Sequence, residues 1–287
     1  MKKKVLVTGA GGYIGRYVVK ILLMHGYDVI AADIRTELVP AGARMMPVDI
    51  FSGSKDIYRE LNSPEICIHL AWQDGFVHNS ESHIRNLYPH YLFIKNMLEG
   101  GVRQIAIMGT MHEIGYWEGP VDANTPCNPS TLYGIAKNAL RQMIEPMALV
   151  YKDVSFKWLR AFYIYGDDDR NHSVFTKILE AAKKGAETFP LVTGVKKYDF
   201  ISVEELAEQI AATSVQDEYV GIINCCSGEA VSLKSKVEAF IVEQGLGIRP
   251  IFGEYPERET DSPEIWGNNE IIRLIMPKWR NENGACQ

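Results

Sequence analysis

The chain has 287 residues, of which 46% are hydrophobic and 23% charged, and this ordinary globular composition argues against a disordered, collagen-like or coiled-coil protein. Its 36 acidic residues outnumber its 30 lysines and arginines, which gives a formal net charge of −6. The basic residues are scattered along the sequence, so no basic face that would bind DNA or RNA is expected.

The cysteines and the apolar segments indicate the compartment. The five cysteines are odd in number and show no CxxC spacing, so the sequence predicts neither a disulfide framework nor a zinc site. No segment approaches the roughly 18 uninterrupted apolar residues of a membrane span. The apolar run after Lys4 is broken at Gly9, which is too early for a signal peptide. We therefore expect a soluble cytoplasmic protein with no membrane partner and no bound metal.

Short apolar, β-branched runs alternate with helical patterns through the first half of the chain. Strands are predicted at 4–8, 28–33, 44–48, 66–70, 104–108 and 155–161. Helices are predicted at 13–24, 81–98 and 131–151, and Pro89 should kink or interrupt the second of them. This alternation predicts an α/β fold in which helices cover both faces of a doubly wound parallel sheet.

A glycine-rich turn joins the first predicted strand to the first predicted helix. Gly9 allows a tight turn, Gly12 lets backbone N–H groups approach a pyrophosphate, and Gly15 permits close packing of the helix. Because a strand precedes the turn and a helix follows it, the pattern predicts dinucleotide binding rather than an ordinary turn. The residues expected to contact the cofactor here are Gly9, Gly11, Gly12, Tyr13, Ile14 and Gly15.

An acidic residue should follow about 20 residues later, at the end of the second strand, and bind the adenine ribose hydroxyls. Asp33 stands there, followed by Ile34 and Arg35, and we include all three in the cofactor site. A carboxylate repels the 2′-phosphate of NADP, which favours NAD, whereas Arg35 could recruit that phosphate. NAD is therefore predicted, and NADP stays open. Taken alone, Asp33 would be interpreted as a turn residue.

The regular alternation of predicted strands and helices ends after Gly166, where shorter segments are separated by Pro and Gly. We assign residues 1–165 to the dinucleotide-binding domain and 166–287 mainly to a smaller substrate-binding lobe. The segment 220–224 has the pattern of a strand, so residues 201–225 are expected to return to the first domain.

A second group of residues suggests proton transfer. Tyr133 and Lys137 are four residues apart and hence on one face of a helix, where the cation would lower the pKa of the phenol. Thr110 follows the strand 104–108, at the sheet edge where ligands gather, and its hydroxyl could bind a substrate carbonyl oxygen. Taken singly, a surface Tyr–Lys pair and a strand-capping threonine are equally ordinary interpretations.

Together these motifs resemble the extended short-chain dehydrogenase/reductases, specifically the NAD-dependent epimerase/dehydratase group that acts on nucleotide-activated sugars. The resemblance covers nearly the whole chain and implies a Rossmann fold with a smaller C-terminal substrate lobe. The matching motifs are 8–15, Asp33, Asp49-Ile50, His69-Leu70-Ala71, Thr110, 133–137, Leu159-Arg160, Tyr165-Gly166 and Asp199-Phe200-Ile201.

The resemblance adds residues to the cofactor site. Asp49 and Ile50 match the pair that flanks adenine in the family. Leu70, Ala71 and Trp72 match the segment that passes behind the nicotinamide side. All five are therefore expected to contact the dinucleotide.

The resemblance also gives the catalytic roles. Tyr133 matches the acid–base residue, Lys137 the residue that holds the nicotinamide ribose and tunes the tyrosine, and Thr110 the residue that orients the substrate oxygen. Family dehydratases follow this threonine with an Asp-Glu pair, whereas this chain has Met111-His112, with Glu113 one place too late. A 4,6-dehydratase is therefore not expected.

Three further side chains are expected on the substrate side. His112 lies close after the threonine and is interpreted as a substrate-binding or structural histidine. Tyr163 replaces the family's asparagine after the sixth strand, and Tyr198 replaces an arginine that often contacts the substrate diphosphate.

The function expected from these residues is the NAD(P)-dependent reduction of a nucleotide-linked 4-keto-6-deoxy sugar. Tyr133 protonates the carbonyl oxygen while Lys137 and Thr110 stabilise the developing charge. A nucleotide-sugar 4-epimerase would use the same residues and stays open as an alternative. A dinucleotide-sensing regulator without activity is the second alternative, and it would need only the glycine loop.

The resemblance also implies a homodimer joined through the predicted helices 81–98 and 131–151. Apolar residues recur at helical spacing on both helices and would supply the interface. They are Leu87, Tyr91, Ile94 and Leu98 on the first, and Leu140, Met143, Met147 and Val150 on the second. The alternative is a monomer in which these stripes pack against the sheet.

Overall fold

A computed structural model describes residues 3–151, 153–166, 173–258 and 261–283 of the chain. The acidic run at 167–169, which the sequence predicts to be a solvated loop rather than a metal site, lies outside the described residues. No helix in the described part of the chain is both long and apolar enough to cross a membrane.

The elements follow one another as short strands and helices. The strands are β1 (Lys4–Thr8), β2 (Asp28–Ala32), β3 (Arg44–Met46), β4 (Ile66–His69), β5 (Gln104–Thr110), β6 (Gly119–Val121), β7 (Ser155–Ala161), β8 (Tyr163–Tyr165), β9 (Thr188–Leu191), β10 (Lys197–Tyr198), β11 (Phe200–Ser202), β12 (Gly221–Cys225), β13 (Val231–Ser232), β14 (Arg249–Phe252) and β15 (Glu264–Gly267). The helices are α1 (Gly15–Met24), α2 (Ile57–Glu60), α3 (Ser82–Arg85), α4 (Leu87–Gly100), α5 (Leu132–Val150), α6 (Val174–Lys183), α7 (Val203–Val215), α8 (Leu233–Glu243) and α9 (Glu270–Asn283).

Seven strands form the main sheet in the order β3-β2-β1-β4-β5-β7-β12, and every neighbouring pair is parallel. The order reverses between β1 and β4, so the connections leave these two strands in opposite directions. A crevice forms at such a switch point, outside the carboxyl ends of the strands. The doubly wound α/β fold predicted from the sequence is confirmed.

The element limits differ from the predicted ones at a few places. Strand β5 continues two residues further than predicted, so Thr110 ends it. The helix predicted at 81–98 is divided at Asn86 into α3 and α4. Pro89 lies in the first turn of α4, where a missing N–H removes no helical hydrogen bond. The proline is therefore accommodated at a helix start instead of producing a kink.

The two faces of the sheet carry separate hydrophobic clusters. In β1, Val5 and Val7 point toward α1, α7 and α9, whereas Leu6 points toward α2, α4 and α5. All three side chains are fully buried. Alternate residues serve opposite faces because successive side chains of a strand point in opposite directions. A layer of helices on each side is therefore required.

A smaller group of elements lies above the carboxyl ends of the strands. It contains the sheet β13-β10-β15-β6, the pairs β8–β11 and β9–β14, and helices α6 and α8. Strand β12 pairs with β7 in the main sheet, and helix α7 packs against that sheet. Helix α9 also packs there, through Trp279 among others, although it lies in the range assigned mainly to the second lobe.

Candidate functional site

A cavity of about 870 Å³ opens between the main sheet and the smaller group of elements. The side chains of β5 and the turn after it form its floor. Five residues predicted for catalysis or substrate binding line this one cavity, namely Thr110, His112, Tyr133, Tyr163 and Tyr198. Ile14 of the glycine loop lines it as well, so the predicted cofactor and substrate sites adjoin.

The glycine loop is closed too tightly for side chains at its key positions. Gly9 has a φ of +68°, and a Cβ there would lie 2.8 Å from the Cα of Ala71. A Cβ on Gly15 would lie 2.0 Å from the carbonyl oxygen of Gly9. The loop therefore requires glycine at both positions, and it brings the backbone of β4 close to the start of α1.

The start of α1 fits a bound pyrophosphate. Ile14 stands at the N-cap and has no acceptor atom, so it cannot cap the first N–H groups with its side chain. The first turn carries no acidic residue. Backbone N–H groups and the positive end of the helix dipole are the features that bind phosphate at helix N-termini.

The remaining predicted cofactor residues lie at the ends of neighbouring strands. Asp33 follows β2, and its carboxylate accepts hydrogen bonds from the N–H of Gly11 (2.9 Å) and of Arg35 (3.0 Å). The side chains of Ile34 and Arg35 are exposed. Asp49 is exposed as well. Asp33 therefore holds the glycine loop against the loop after β2.

Ile50 is the second residue of the pair predicted to flank adenine. Its side chain is buried in the cluster under α2 and α4, because the chain turns inward after Asp49 to pack against the sheet. Only the backbone of Ile50 remains for a contact with adenine. Leu70, Ala71 and Trp72 follow β4 directly and are half-buried beside the glycine loop.

Thr110, Tyr133 and Lys137 converge at the end of β5. The hydroxyl of Tyr133 lies close enough to the side chain of Thr110 for that side chain to act on its pKa. The ammonium of Lys137 donates a 2.7 Å hydrogen bond to the carbonyl oxygen of Met108 and lies 3.8 Å from the ring centroid of Trp72. The same nitrogen lies 6.0 Å from the centroid of the Tyr133 ring.

The pKa values of Tyr133 and Lys137 differ from the expectation. Burial raises the pKa of Tyr133, and the hydrogen bond from Thr110 opposes this only in part. Burial also lowers the pKa of Lys137 to about 7, against the opposite effect of the Glu113 carboxylate. The prediction that Lys137 lowers the pKa of the phenol is wrong for this structure, because the ammonium points to Met108 and Trp72. Tyr133 is therefore protonated at neutral pH and can donate a proton.

Glu113 lies beneath the cavity floor, not in it. Its buried carboxylate accepts hydrogen bonds from the N–H of Thr110 (2.7 Å) and from Nε1 of Trp158 (2.9 and 3.0 Å). The guanidinium groups of Arg160 and Arg141 lie 3.6 and 3.9 Å away. Glu113 is therefore engaged below the substrate site and does not line the cavity.

Sequence reasoning missed a group of histidines. Five of the seven histidines in the chain lie around Trp72 and Tyr133. They are His69, His78, His83, His90 and His112. Their irregular spacing gives no periodic signal, so only the folded chain brings them together.

Three of these histidines hold Trp72 in place. Its Nε1 donates to Nδ1 of His83 (3.1 Å), and its ring stacks on His90 at a centroid distance of 4.3 Å. His90 in turn bonds through Nδ1 to Nε2 of His69 (2.9 Å), whose Nδ1 lies 2.8 Å from Oγ1 of Thr8. The indole is thereby fixed on the side of the glycine loop.

Arg258 is a second residue that the sequence analysis missed. Arg258 lines the cavity, and its positive charge contributes to lowering the pKa of His78. The same charge acts to lower the pKa of Tyr163 and of Tyr198, against the larger effect of burial, which raises both. The family pattern has an arginine at the position that Tyr198 occupies in this chain. In the fold, Arg258 comes from the loop before β15 and lines the same cavity as Tyr198. In the sequence, the only feature near Arg258 that stands out is Pro256, two residues before it.

The buried histidines predict a pH dependence of stability. Burial lowers the pKa of His69 and of His112 to about 3, whereas both titrate near 6.5 in the unfolded chain. The unfolded state binds more protons below about pH 6.5, so the free energy of unfolding should fall as the pH is lowered from there. Each histidine contributes up to about 2 kcal/mol of this loss between pH 6.5 and 5.

Urea unfolding of the wild type and of His112→Gln at pH 7.5 and 5.0 checks this. The variant should lose about 2 kcal/mol less than the wild type between the two pH values. Equal losses in both proteins would contradict a neutral His112.

Comparisons with known proteins agree with this geometry. The model of the NAD dependent epimerase/dehydratase family matches residues 5–226. The dTDP-6-deoxy-L-talose 4-dehydrogenase (NAD(+)) of Aggregatibacter actinomycetemcomitans is 46% identical over 267 residues, which cover 92% of this chain and 98% of that protein. The dTDP-4-dehydro-6-deoxyglucose reductase of Escherichia coli is 24% identical over 273 residues, covering 88% and 84%.

A solved structure shows the same fold. MoeE5 in complex with UDP-glucuronic acid and NAD superimposes with a TM-score of 0.81 at 23% identity, covering 96% of this chain and 92% of its own. The family match, the relative that aligns over nearly its full length and the assembled site lead to one conclusion. The chain is an enzyme that belongs to the NAD dependent epimerase/dehydratase family.

Proposed function

We propose that this enzyme is an NAD-dependent oxidoreductase that interconverts the 4-keto and 4-hydroxy forms of a nucleotide-linked 6-deoxy sugar. The observation that carries the proposal is that Thr110 and Tyr133 line one cavity beside the glycine loop, with the Lys137 ammonium buried behind them at the carbonyl of Met108. The dehydrogenase that is 46% identical acts on a dTDP-linked 6-deoxy sugar at C4, by its name. A dTDP sugar is therefore the first substrate class to test.

The cofactor would be held by the residues of the glycine loop, Asp33, and Leu70 to Trp72. When bound, NADH supplies the hydride. Tyr133 donates the proton to the substrate carbonyl oxygen, and the hydroxyl of Thr110 hydrogen-bonds to the same oxygen as charge develops there. Lys137, whose pKa burial lowers to about 7, supplies a positive charge behind this pair in its protonated form.

The outer part of the cavity suits a nucleoside diphosphate. Phe189 and Leu191 present apolar surface for a base, and Arg258 and Lys177 offer positive charge for a diphosphate. Tyr163 and Tyr198 lie between this part and the catalytic residues. We assign Arg258 the role that the resemblance expected of an arginine at position 198.

The two alternatives are separated by the fate of the cofactor. A 4-epimerase would use the same residues, and the probable UDP-glucuronate 4-epimerase of Rhizobium meliloti is 24% identical over 94% of this chain. Such an enzyme keeps its NAD bound through purification, whereas a dehydrogenase or reductase exchanges it at each turnover. A regulator would not need Thr110, Tyr133 and Lys137 to meet, so we set that alternative aside.

The same proposal includes a cytoplasmic location and a preference for NAD over NADP. The described cysteines Cys67, Cys127, Cys225 and Cys226 are unpaired, which supports a reducing cytoplasm. The carboxylate of Asp33 supports NAD, while the exposed Arg35 leaves NADP possible at lower affinity.

We also propose a homodimer through α4 and α5, with a changed set of contact residues. Ile94, Leu98 and Leu140 belong to the buried cluster under the sheet, so they cannot form an interface. Leu149 and Val150 are 86% and 76% exposed on α5. The interface is therefore expected along the exposed faces of the two helices, from Tyr88 near the start of α4 to Leu149 and Val150 at the end of α5.

Replacing the proton donor tests the function. Tyr133→Phe should lower kcat by at least about two orders of magnitude, because the hydroxyl that protonates the oxygen is gone. NADH affinity should stay within a few-fold, measured by fluorescence titration. Tyr116→Phe is the control, because Tyr116 is exposed outside the cavity and its loss should leave turnover unchanged. Turnover of Tyr133→Phe close to that of the wild type would refute the assignment.

Replacing Asp33 tests the cofactor. Asp33→Asn keeps the shape of the side chain but removes the charge, so NADPH should gain affinity while NADH loses it. Asp33→Ala should weaken NADH much more than NADPH. Equal changes for the two cofactors in a titration would remove Asp33 from the ribose site.

Light scattering tests the dimer. The wild type should have about twice the monomer mass of 32.3 kDa at micromolar concentration, since a stable interface buries on the order of 1,000 Å² or more. Leu149→Asp should shift it to the monomer, whereas Leu274→Asp, on the exposed face of α9, should not. A monomer mass for the wild type would rule the dimer out.

A further inference from the structure

The loop between β4 and α3 places a histidine over the catalytic tyrosine. The ring of His78 lies nearly parallel to that of Tyr133, with centroids 5.5 Å apart and an angle of 13°. His112 approaches the same two rings, at 4.3 Å from His78 and 5.9 Å from Tyr133. Both imidazoles line the cavity. The two rings therefore line the cavity on the side of Tyr133, where a sugar whose reacting carbon lies at Tyr133 would place its neighbouring carbons.

Internal hydrogen bonds fix the shape of this loop. The carboxylate of Asp74 accepts hydrogen bonds from the hydroxyls of Ser80 and Ser82, both at 2.8 Å. Asp74 adopts a φ of +57°, which costs a non-glycine residue on the order of 1 kcal/mol. Nε2 of His83 donates to the carbonyl oxygen of Val77 (2.9 Å), since its Nδ1 accepts from Trp72. Such a loop holds His78 in one position.

The loop is also attached to the helix that carries Tyr133. The N–H of Tyr133 donates to the carbonyl oxygen of His78 (2.8 Å), and the N–H of Leu132 donates to the side chain of Asn79 (3.2 Å). These bonds satisfy N–H groups in the first turn of α5, which have no partner within the helix. The loop and the catalytic tyrosine are therefore positioned together.

The two imidazoles present neutral, unused hydrogen-bonding groups. Burial lowers the pKa of His112 to about 3 and, with the charges of His83 and Arg258, lowers that of His78. No residue in the described ranges hydrogen-bonds to a ring nitrogen of either histidine. A neutral imidazole carries one donor and one acceptor, which matches the donor and acceptor of a sugar hydroxyl.

We propose that His78, together with His112, binds the hydroxyl on the sugar carbon adjacent to the one that is oxidised or reduced. This rests on the proposed function, because Thr110 and Tyr133 must already hold the oxygen of the reacting carbon. Arg258 supplies the charge for the diphosphate, so the neutral pair is left for the sugar. The histidines thereby make turnover depend on a hydroxyl at that carbon, since its absence would leave buried nitrogen atoms unpaired.

A cycle of enzyme and substrate changes tests this. The enzymes are the wild type and His78→Phe, which keeps a ring but removes both nitrogens. The substrates are a nucleotide-linked 4-keto-6-deoxy sugar and the same sugar without the 3-hydroxyl. The wild type should lose about tenfold in kcat/KM when the hydroxyl is removed, and His78→Phe should lose about tenfold on the full sugar. His78→Phe should lose no more than about twofold further on the 3-deoxy sugar.

The control variant is Ser80→Ala, which removes the hydrogen bonds of the Ser80 hydroxyl to Asp74 and Ser82 within the loop but no group that lines the cavity. It should lose the same factor on both substrates, because loosening the loop does not depend on the hydroxyl. If removal of the 3-hydroxyl lowers kcat/KM of His78→Phe by the same factor as it lowers that of the wild type, the proposal is wrong. His78→Ala provides the same comparison if the phenylalanine variant does not fold.

The outcomes separate this inference from the proposed function. Suppose that the wild type reduces the full sugar, but that removal of the 3-hydroxyl lowers kcat/KM equally in the wild type and in His78→Phe. The proposed contact of His78 with the sugar is then wrong, and the proposed oxidoreductase function is unaffected. If the wild type turns over no nucleotide-linked 4-keto sugar, the proposed function fails and takes the sugar contact with it. NADH titration of each variant confirms that the cofactor site is intact.

Discussion

The site depends on one buried carboxylate that never reaches the substrate. Glu113 joins the end of β5, strand β7 and helix α5, because its partners Thr110, Trp158 and Arg141 come from these three elements. Burial raises its pKa, while Arg160 and the hydrogen bonds act in the opposite direction. Removing one partner of such a buried pair costs about 3–5 kcal/mol, so the three elements are held in a single arrangement.

The same carboxylate sets the position of the reacting groups. Thr110 caps the turn Met111–Glu113 with its hydroxyl, and Glu113 returns a bond to the backbone of Thr110. This capping box fixes the threonine whose side chain lies beside the hydroxyl of Tyr133. A residue that a dehydratase would place in the cavity is thus used below it to orient an oxidoreductase pair.

Two of the positive charges of the site lie on opposite sides of the reacting groups, and the carboxylates Glu257 and Asp261 line the cavity beside Arg258. Lys137 lies deep beside Trp72, and Arg258 lies toward the outer part of the cavity. Between them stand the phenol of Tyr133 and the imidazoles of His78 and His112, which burial keeps neutral at neutral pH. Such an arrangement suits a neutral sugar that carries its negative charge only at the diphosphate.

Local patterns predicted much of the fold. The glycine loop, the parallel strands and the Tyr133–Lys137 pair depend on short spacings, and the structure contains all of them. The direction of the Lys137 ammonium could not be predicted, because it depends on the Met108 carbonyl and the Trp72 ring, which lie far away in sequence. The burial of Ile50 likewise depends on packing between distant elements.

The most direct measurement is the fate of deuterium from free NADH labelled at the transferred position of C4 of the nicotinamide. The purified enzyme would be mixed with this cofactor and a nucleotide-linked 4-keto-6-deoxy sugar, and the product examined by mass spectrometry and NMR. The account predicts one deuterium at C4 of the sugar for each NADH oxidised. A sugar product that carries no deuterium, or no product at all, would contradict it.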